Sequence, residues 1–206
     1  TPMKLSIQQL ERAIRQDPDR AEELMARTGR TLVEQIENLD AIASAFSSFA
    51  RLPEGERERV DLNDVAQNVT ALFAERPDIR VHLQTTAGPA VVLADKNHMV
   101  SVLNNLVQNA VQAVEEAERP GHVTVEVQPT DDRVLVHVRD DGIGITDDQM
   151  ARIFVPNFTT KSSGAGLGLA ITKRLVEGAG GSIRVTSRVN EGAVFTVELP
   201  CHDAPN

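Results

Sequence analysis

Two asparagines, Asn105 and Asn109, stand four residues apart in the run NLVQNA, so on a helix both side chains project from one face. Set among Leu103, Leu106, Val107 and Val111, each amide costs roughly 1–3 kcal/mol if left without a partner. The carbonyl oxygen of Asn109 could serve a Mg²⁺ that carries nucleotide phosphates, a hard cation choosing hard ligands. Two capped or solvated asparagines would leave the same trace. Further on, Asp140 opens DDGIGI, where a carboxylate at a strand end can accept a hydrogen bond from an exocyclic amine such as that of adenine. Gly142 and Gly144 permit positive φ and close approach of a ligand, or a tight turn leaving the sheet. In GAGLGLAI, Gly164, Gly166, Leu167 and Gly168 lead into a helix, where unpaired N–H groups and the helix dipole favour an anion. This is neither the dinucleotide fingerprint nor a Walker loop, because no Lys-Ser or Lys-Thr follows the last glycine. A flexible connector is the plainer alternative. Immediately upstream, Thr160 and Lys161 belong to a polar segment that can close over phosphates or remain a solvated loop.

The elements that must hold these groups follow from periodicity. A helix over residues 63–75 is followed by short apolar strands at 79–83 and 90–94, then by a long helix over 95–117 that carries both asparagines. Strands at 123–127 and 134–138 flank Pro129-Thr130-Asp131-Asp132 and should form a hairpin. Beyond the glycine-rich region come a helix ending near Glu177 and strands at 182–187 and 193–199. This order predicts an α+β unit in which helices pack on one face of a mixed, mostly antiparallel sheet. The first fifty residues differ. Met3, Ile7, Leu10 and Ile14, then Leu32, Ile36, Leu39, Ala43 and Phe46, recur in steps of four and three, as in a coiled-coil seam. A break at Gln16-Asp17-Pro18-Asp19 makes the two runs an antiparallel helical hairpin. Two helices bury too little surface alone, so a second copy completing a four-helix bundle is expected, docking on the following domain being the alternative. The segment RLPEGERER, rich in charge with Pro and Gly, reads as a linker.

Composition excludes several classes. Among 206 residues there is no Trp, no Tyr and only six Phe, so the stacking platforms of single-strand binders are missing. The formal charge of −9 also argues against a nucleic-acid partner, which requires a basic face. The lone Cys201 offers no disulfide framework or multi-cysteine metal site. No apolar run approaches the roughly 18 residues of a membrane span, and the first residues lack signal-peptide character. A soluble chain in a reducing cytoplasm, without membrane contact of its own, is expected.

Four motifs in one order (NLVQNA, DDGIGI, FVPNFTTK, GAGLGLAI) make residues 60–200 closely resemble the ATP-binding catalytic domain of bacterial sensor histidine kinases, in the GHKL superfamily. The resemblance implies a Bergerat-type α/β sandwich holding ATP and Mg²⁺. It makes Asn105 and Asn109 the N-box, with Asn109 as metal ligand and Lys161 joining them in catalysis. It makes Asp140, Gly142 and Gly144 the first glycine box, Phe154 and Phe158 the F-box, and Gly164, Gly166 and Gly168 the second glycine box. Thr196, in GAVFT, becomes a water-mediated adenine contact. Residues 1–52 resemble the dimerisation and phosphotransfer hairpin, residues 53–59 a linker and residues 201–206 a tail. Relatives of this subtype carry an acceptor His in a segment like H-E-x-x-N-P-L-T-P, which these residues lack. Among five histidines, His82 and His137 fit strands, His98 the N-box helix, His122 a loop and His202 the tail. Residues 46–53, FSSFARLP, resemble the NtrY-like nitrogen-regulation branch, which implies a longer parent anchored in the inner membrane. Gln112 stands where many such kinases carry a basic residue. The implied activity is transfer of the ATP γ-phosphate to a His and then to an Asp of a response regulator receiver domain. A GHKL-type ATPase, a nucleotide-dependent dimerisation module and a Ser/Thr kinase acting on an anti-sigma partner are the competing readings. The first needs a Glu on the N-box helix to activate water, and Asn105 cannot act as a general base.

Overall fold

The computed structural model describes residues 56–202 except 75, 77, 87 and 160–165, together with Thr28, Gly29 and Val33. Apart from Thr28, Gly29, Val33 and Thr159, these residues belong to one compact unit. The hairpin expected over residues 1–52 lies outside the described residues, those three isolated positions excepted, as do residues 53–55 of the linker and residues 203–206 of the tail.

In chain order the elements are β1 (Glu58–Asp61), α1 (Leu62–Ala71), β2 (Ile79–Thr85), β3 (Val91–Ala94), α2 (Lys96–Glu115), β4 (Gly121–Pro129), β5 (Arg133–Asp140), α3 (Asp147–Met150), α4 (Gly168–Gly178), β6 (Ser182–Arg188) and β7 (Gly192–Pro200). Five strands form a mixed sheet in the order β2-β4-β5-β7-β6, with β2 and β4 parallel and the other pairs antiparallel. β1 and β3 make a separate antiparallel pair, bridged to the main sheet's end through Val92 and Cys201.

Alternation along the strands separates the two faces of the sheet. Val125 on β4, Val136 and Val138 on β5, and Phe195 and Val197 on β7 are buried against α1, α2 and α4. The opposite face carries Glu126, His137, Arg139, Arg184 and Thr196. This is the one-sided packing predicted from element order.

α2 is the central prop. Its start is set by Asp95, whose Oδ1 accepts from the His98 N–H at 2.9 Å. Met99, Val102, Leu103, Leu106, Val107 and Ala110 recur at helical spacing and are all at most 2% exposed. Fully burying one such large side chain contributes about 1.5–3 kcal/mol, so this face holds the helix firmly against the sheet. α1 is capped in the same way by Asp61, whose Oδ1 also accepts from the Ala90 N–H at 3.3 Å and ties the helix start to the approach of β3.

Several boundaries differ from the sequence reading. Glu58 and Arg59, assigned to the linker, belong to β1, whose pairing partner β3 lies about thirty residues downstream. α1 stops at Ala71 rather than Glu75, with Leu72 73% exposed. Phe73 extends the apolar period from Val69 but reaches the core from a turn. His122 lies in β4 and not in a loop. The one-turn α3 was not expected, although Thr146 and Gln149 form a complete capping box there.

Candidate functional site

Asn105, Asn109 and Ala113 stand at successive i, i+4 positions on α2, roughly 6 Å apart along the axis. Each does something different. Asn105 donates from Nδ2 to Thr172 Oγ1 on α4 at 2.9 Å, and its Oδ1 lies 2.4 Å from where a Cβ on Gly168 would stand. Gly168 is therefore required for α4 to approach α2. At the other end, the Ala113 carbonyl accepts from the Ile143 N–H at 3.1 Å, and a Cβ on Gly142 would come within 2.4 Å of the Ala113 backbone. Between these anchors, Asn109 is half-buried and its side chain has no hydrogen-bond partner among the described residues. One asparagine is thus a tie between helices, and the other keeps an amide oxygen available.

Asp140 ends β5 and is only 5% exposed. Its Oδ1 accepts from the Gly142 N–H at 2.9 Å and from the Ala193 N–H at 3.3 Å. Oδ2 takes no hydrogen bond from the described residues and is not a buried orphan, so it meets solvent. Burial pushes the Asp140 carboxyl above its ordinary value; the two N–H donors pull the other way, and neighbouring Asp141 adds repulsion. A carboxylate fixed on one oxygen and open on the other is suited to reading a donor such as an exocyclic amine.

The β6–β7 turn locks this loop. Gly144, at φ +70°, leaves no space for a Cβ, which would stand 2.1 Å from the Arg188 carbonyl oxygen. Ser187 Oγ accepts from the Ile145 N–H at 2.9 Å and donates to the Gly192 carbonyl at 2.7 Å. Asp141 holds the other side, accepting from the His122 N–H at 2.9 Å and pairing with the His122 ring at 3.3 Å.

At the second glycine box, Gly166 takes φ +66° against the Asn157–Phe158 backbone. Leu167 is buried and precedes α4 as its cap residue without a side-chain hydrogen bond, so among the described residues no side chain caps the first N–H groups of α4. Phe158 is half-buried with the Arg152 guanidinium 4.5 Å from its ring centre, and Phe154 lies beneath Lys173 at 5.7 Å. Thr160, Lys161 and Gly164 lie outside the described residues.

One expected contact is displaced. Thr196 pairs with His137 across β5 and β7, its Oγ1 3.0 Å from His137 Nδ1, on the face of the sheet opposite Asp140. The period of two along β7 sends Ala193 toward Asp140 and Thr196 away from it, so the adenine role implied for Thr196 does not fit. Ala193, Ser187 and Thr172 were missed. Only Ala193 left a trace in sequence, standing directly after the turn glycine Gly192.

Residues 94–203 match the family described as histidine kinase-, DNA gyrase B-, and HSP90-like ATPases. The sensor histidine kinase ZraS of Salmonella typhi is 35% identical over 175 residues, covering 83% of this chain and 37% of the relative. The nitrogen regulation protein NtrY of Azorhizobium caulinodans is 27% identical over 183 residues, covering 86% of this chain and 24% of the relative. Among solved structures, the catalytic domain of histidine kinase ThkA superposes with a TM-score of 0.63 at 34% identity, covering 71% of this chain and 96% of that one. ThkA in complex with the response regulator protein TrrA gives 0.69 at 25% identity, covering 97% of this chain and 59% of that one. The chain belongs to the histidine kinase-, DNA gyrase B-, and HSP90-like ATPase family, whose ATP-binding fold it shares. ZraS and ThkA are both named histidine kinases, which supports a histidine kinase among the enzymes of that family. It spans little more than a third (37%) of the length of the first of these relatives. No helix among the described residues is long and apolar enough to cross a membrane.

Proposed function

We propose that this chain is the ATP-binding catalytic portion of a two-component sensor histidine kinase. The observation that carries the reading is the amide of Asn109, without a hydrogen-bond partner among the described residues and held between one segment anchored at Asn105 and another at Ala113. On one side lies the uncapped start of α4, suited to phosphate oxygens. On the other lies the loop of Asp140, whose open Oδ2 would accept from the adenine amine. Asn109 would be a ligand of Mg²⁺, which when bound neutralises phosphate charge.

Phosphoryl transfer asks a protein mainly for alignment and charge neutralisation. Asp140 orients the base, α4 holds the phosphates, and the Asn105–Thr172 tie fixes α2 against α4. Thr160 and Lys161 are proposed to close over the phosphates, and Phe158 to support Gly166 from below. The γ-phosphate is then presented to a neutral imidazole nitrogen of a His on a dimerisation helix. From there it passes to an Asp on a response regulator, a partner class supported by the ThkA–TrrA complex. A homodimer joined through residues 1–52, cytoplasmic and belonging to a parent anchored in the inner membrane, completes the proposal.

One point separates this from a rival, and another concerns the branch. A water-activating ATPase needs a carboxylate where Asn105 stands, and that amide is already bonded to Thr172. As to branch, residues 46–53 favour an NtrY-like kinase, but ZraS is the more identical relative, so identity does not single out nitrogen regulation.

The test is to mix the chain with a longer protein bearing the His-containing helix and radiolabelled ATP. Acid-labile label on the partner is expected. Steady release of free phosphate without protein label would refute the kinase assignment.

A further inference from the structure

The geometry points to Thr172 as a positioning residue for the phosphate end of the site, acting through Asn105; the inference rests on the nucleotide reading just given. Thr172 is 1% exposed, one turn inside α4, and accepts from Asn105 across 67 positions of sequence. It is among the few buried polar side chains of the unit, and no glycine box or N-box contains it.

The tie holds the Asn105 amide in one orientation. With Nδ2 given to Thr172, Oδ1 lies over Gly168, the first residue of α4. Two conditions therefore set the separation of the helices. Position 172 must offer a hydroxyl, or a part-buried amide loses its acceptor. Position 168 must have no Cβ, or Oδ1 is struck at 2.4 Å. Both conditions act within the first two turns of α4, whose leading N–H groups would receive the proposed phosphates, and one turn along α2 from Asn109. Thr172 thus sets how far the phosphate cradle stands from the proposed metal ligand without touching either. Asn105 becomes part of the same device.

A tie that only held the fold together would act on every ligand alike. A tie that sets this spacing acts on β- and γ-phosphates and spares the base, which is read by Asp140 on another loop. The experiment compares wild type, Thr172→Val and Thr172→Ser, titrating each with ATP plus Mg²⁺ and separately with AMP, which lacks the outer phosphates. Thr172→Val keeps the side-chain shape and removes the hydroxyl. Expected is about a tenfold loss of Mg²⁺-ATP affinity in Thr172→Val with AMP affinity unchanged, and recovery in Thr172→Ser. Wild-type affinity for Mg²⁺-ATP in Thr172→Val would overturn the inference. So would a parallel loss of both ligands together with a lowered melting temperature. Absence of Mg²⁺-ATP binding in wild type would overturn the nucleotide reading itself, and this inference with it.

Discussion

In the proposed site Asp140 has to satisfy two opposing demands. Reading an amine requires an ionised oxygen, yet burial raises the free energy of that ionised form. Because its folded-state pKa lies above the unfolded value, the folded chain holds this proton more firmly. The side chain's contribution to stability is thus fullest at low pH and declines as pH rises from the ordinary carboxylate range through the folded pKa. Asp140→Asn keeps an oxygen for the Gly142 and Ala193 N–H groups while removing the buried charge. Thermal melts across pH should show the variant gaining on wild type as neutrality is approached. A variant that falls progressively behind wild type over the same range would contradict the burial account. Acidification should also weaken ATP, beginning above the usual carboxylate range, because protonation removes the acceptor. Thr196 supplies the contrasting case. Thr196→Val should leave ATP affinity unchanged, since its hydroxyl faces His137 on the far side of the sheet; a tenfold loss would restore its adenine role.

At the scale of elements, the glycines of the boxes are explained first by packing. Gly142 lets the loop after β5 lie on α2, and Gly168 lets α4 do the same. Gly142→Ala should cost about 1–3 kcal/mol by overpacking against the Ala113 backbone and weaken ATP as the loop shifts. Gly178→Ala, at the end of α4 with open space around its Cβ position, should leave both melting temperature and affinity nearly intact. Equal effects from the two substitutions would mean that loop–helix contact does not shape the site. These contacts also show what sequence can carry. The Asn105/Asn109 spacing, the strand before Asp140 and the helix after Gly168 were legible, because each depends on neighbours within a few residues. β1 was hidden since its only buried side chain is Val60 and its partner is distant. Thr172 was hidden because a threonine inside an amphipathic helix looks ordinary until Asn105 is seen beside it. Thr196 stands three residues beyond Ala193, an odd number that puts it on the other face of the strand, and that face depends on a pairing register sequence does not show.

For the whole molecule, α2 serves as a common spine. Its apolar face is bound into the core, and its polar face meets the Asp140 loop at Ala113 and α4 at Asn105. Leu106, fully buried on that spine, is where the fold is most exposed to damage: Leu106→Ala should cost about 2–5 kcal/mol and lower the urea midpoint without selectivity among ligands. An unchanged midpoint would show that α2 is not the central prop. The excess of acidic residues, with a formal charge of −9, would leave the proposed phosphate recognition to local features of the site. Since the chain has no Trp or Tyr, calorimetry is the natural readout. The decisive titration uses a non-hydrolysable ATP analogue with Mg²⁺ against wild type and Asp140→Asn. Saturable one-to-one binding by wild type, abolished in the variant, is the expected result. No saturable heat at millimolar analogue, or binding by Asp140→Asn as tight as by wild type, would contradict it.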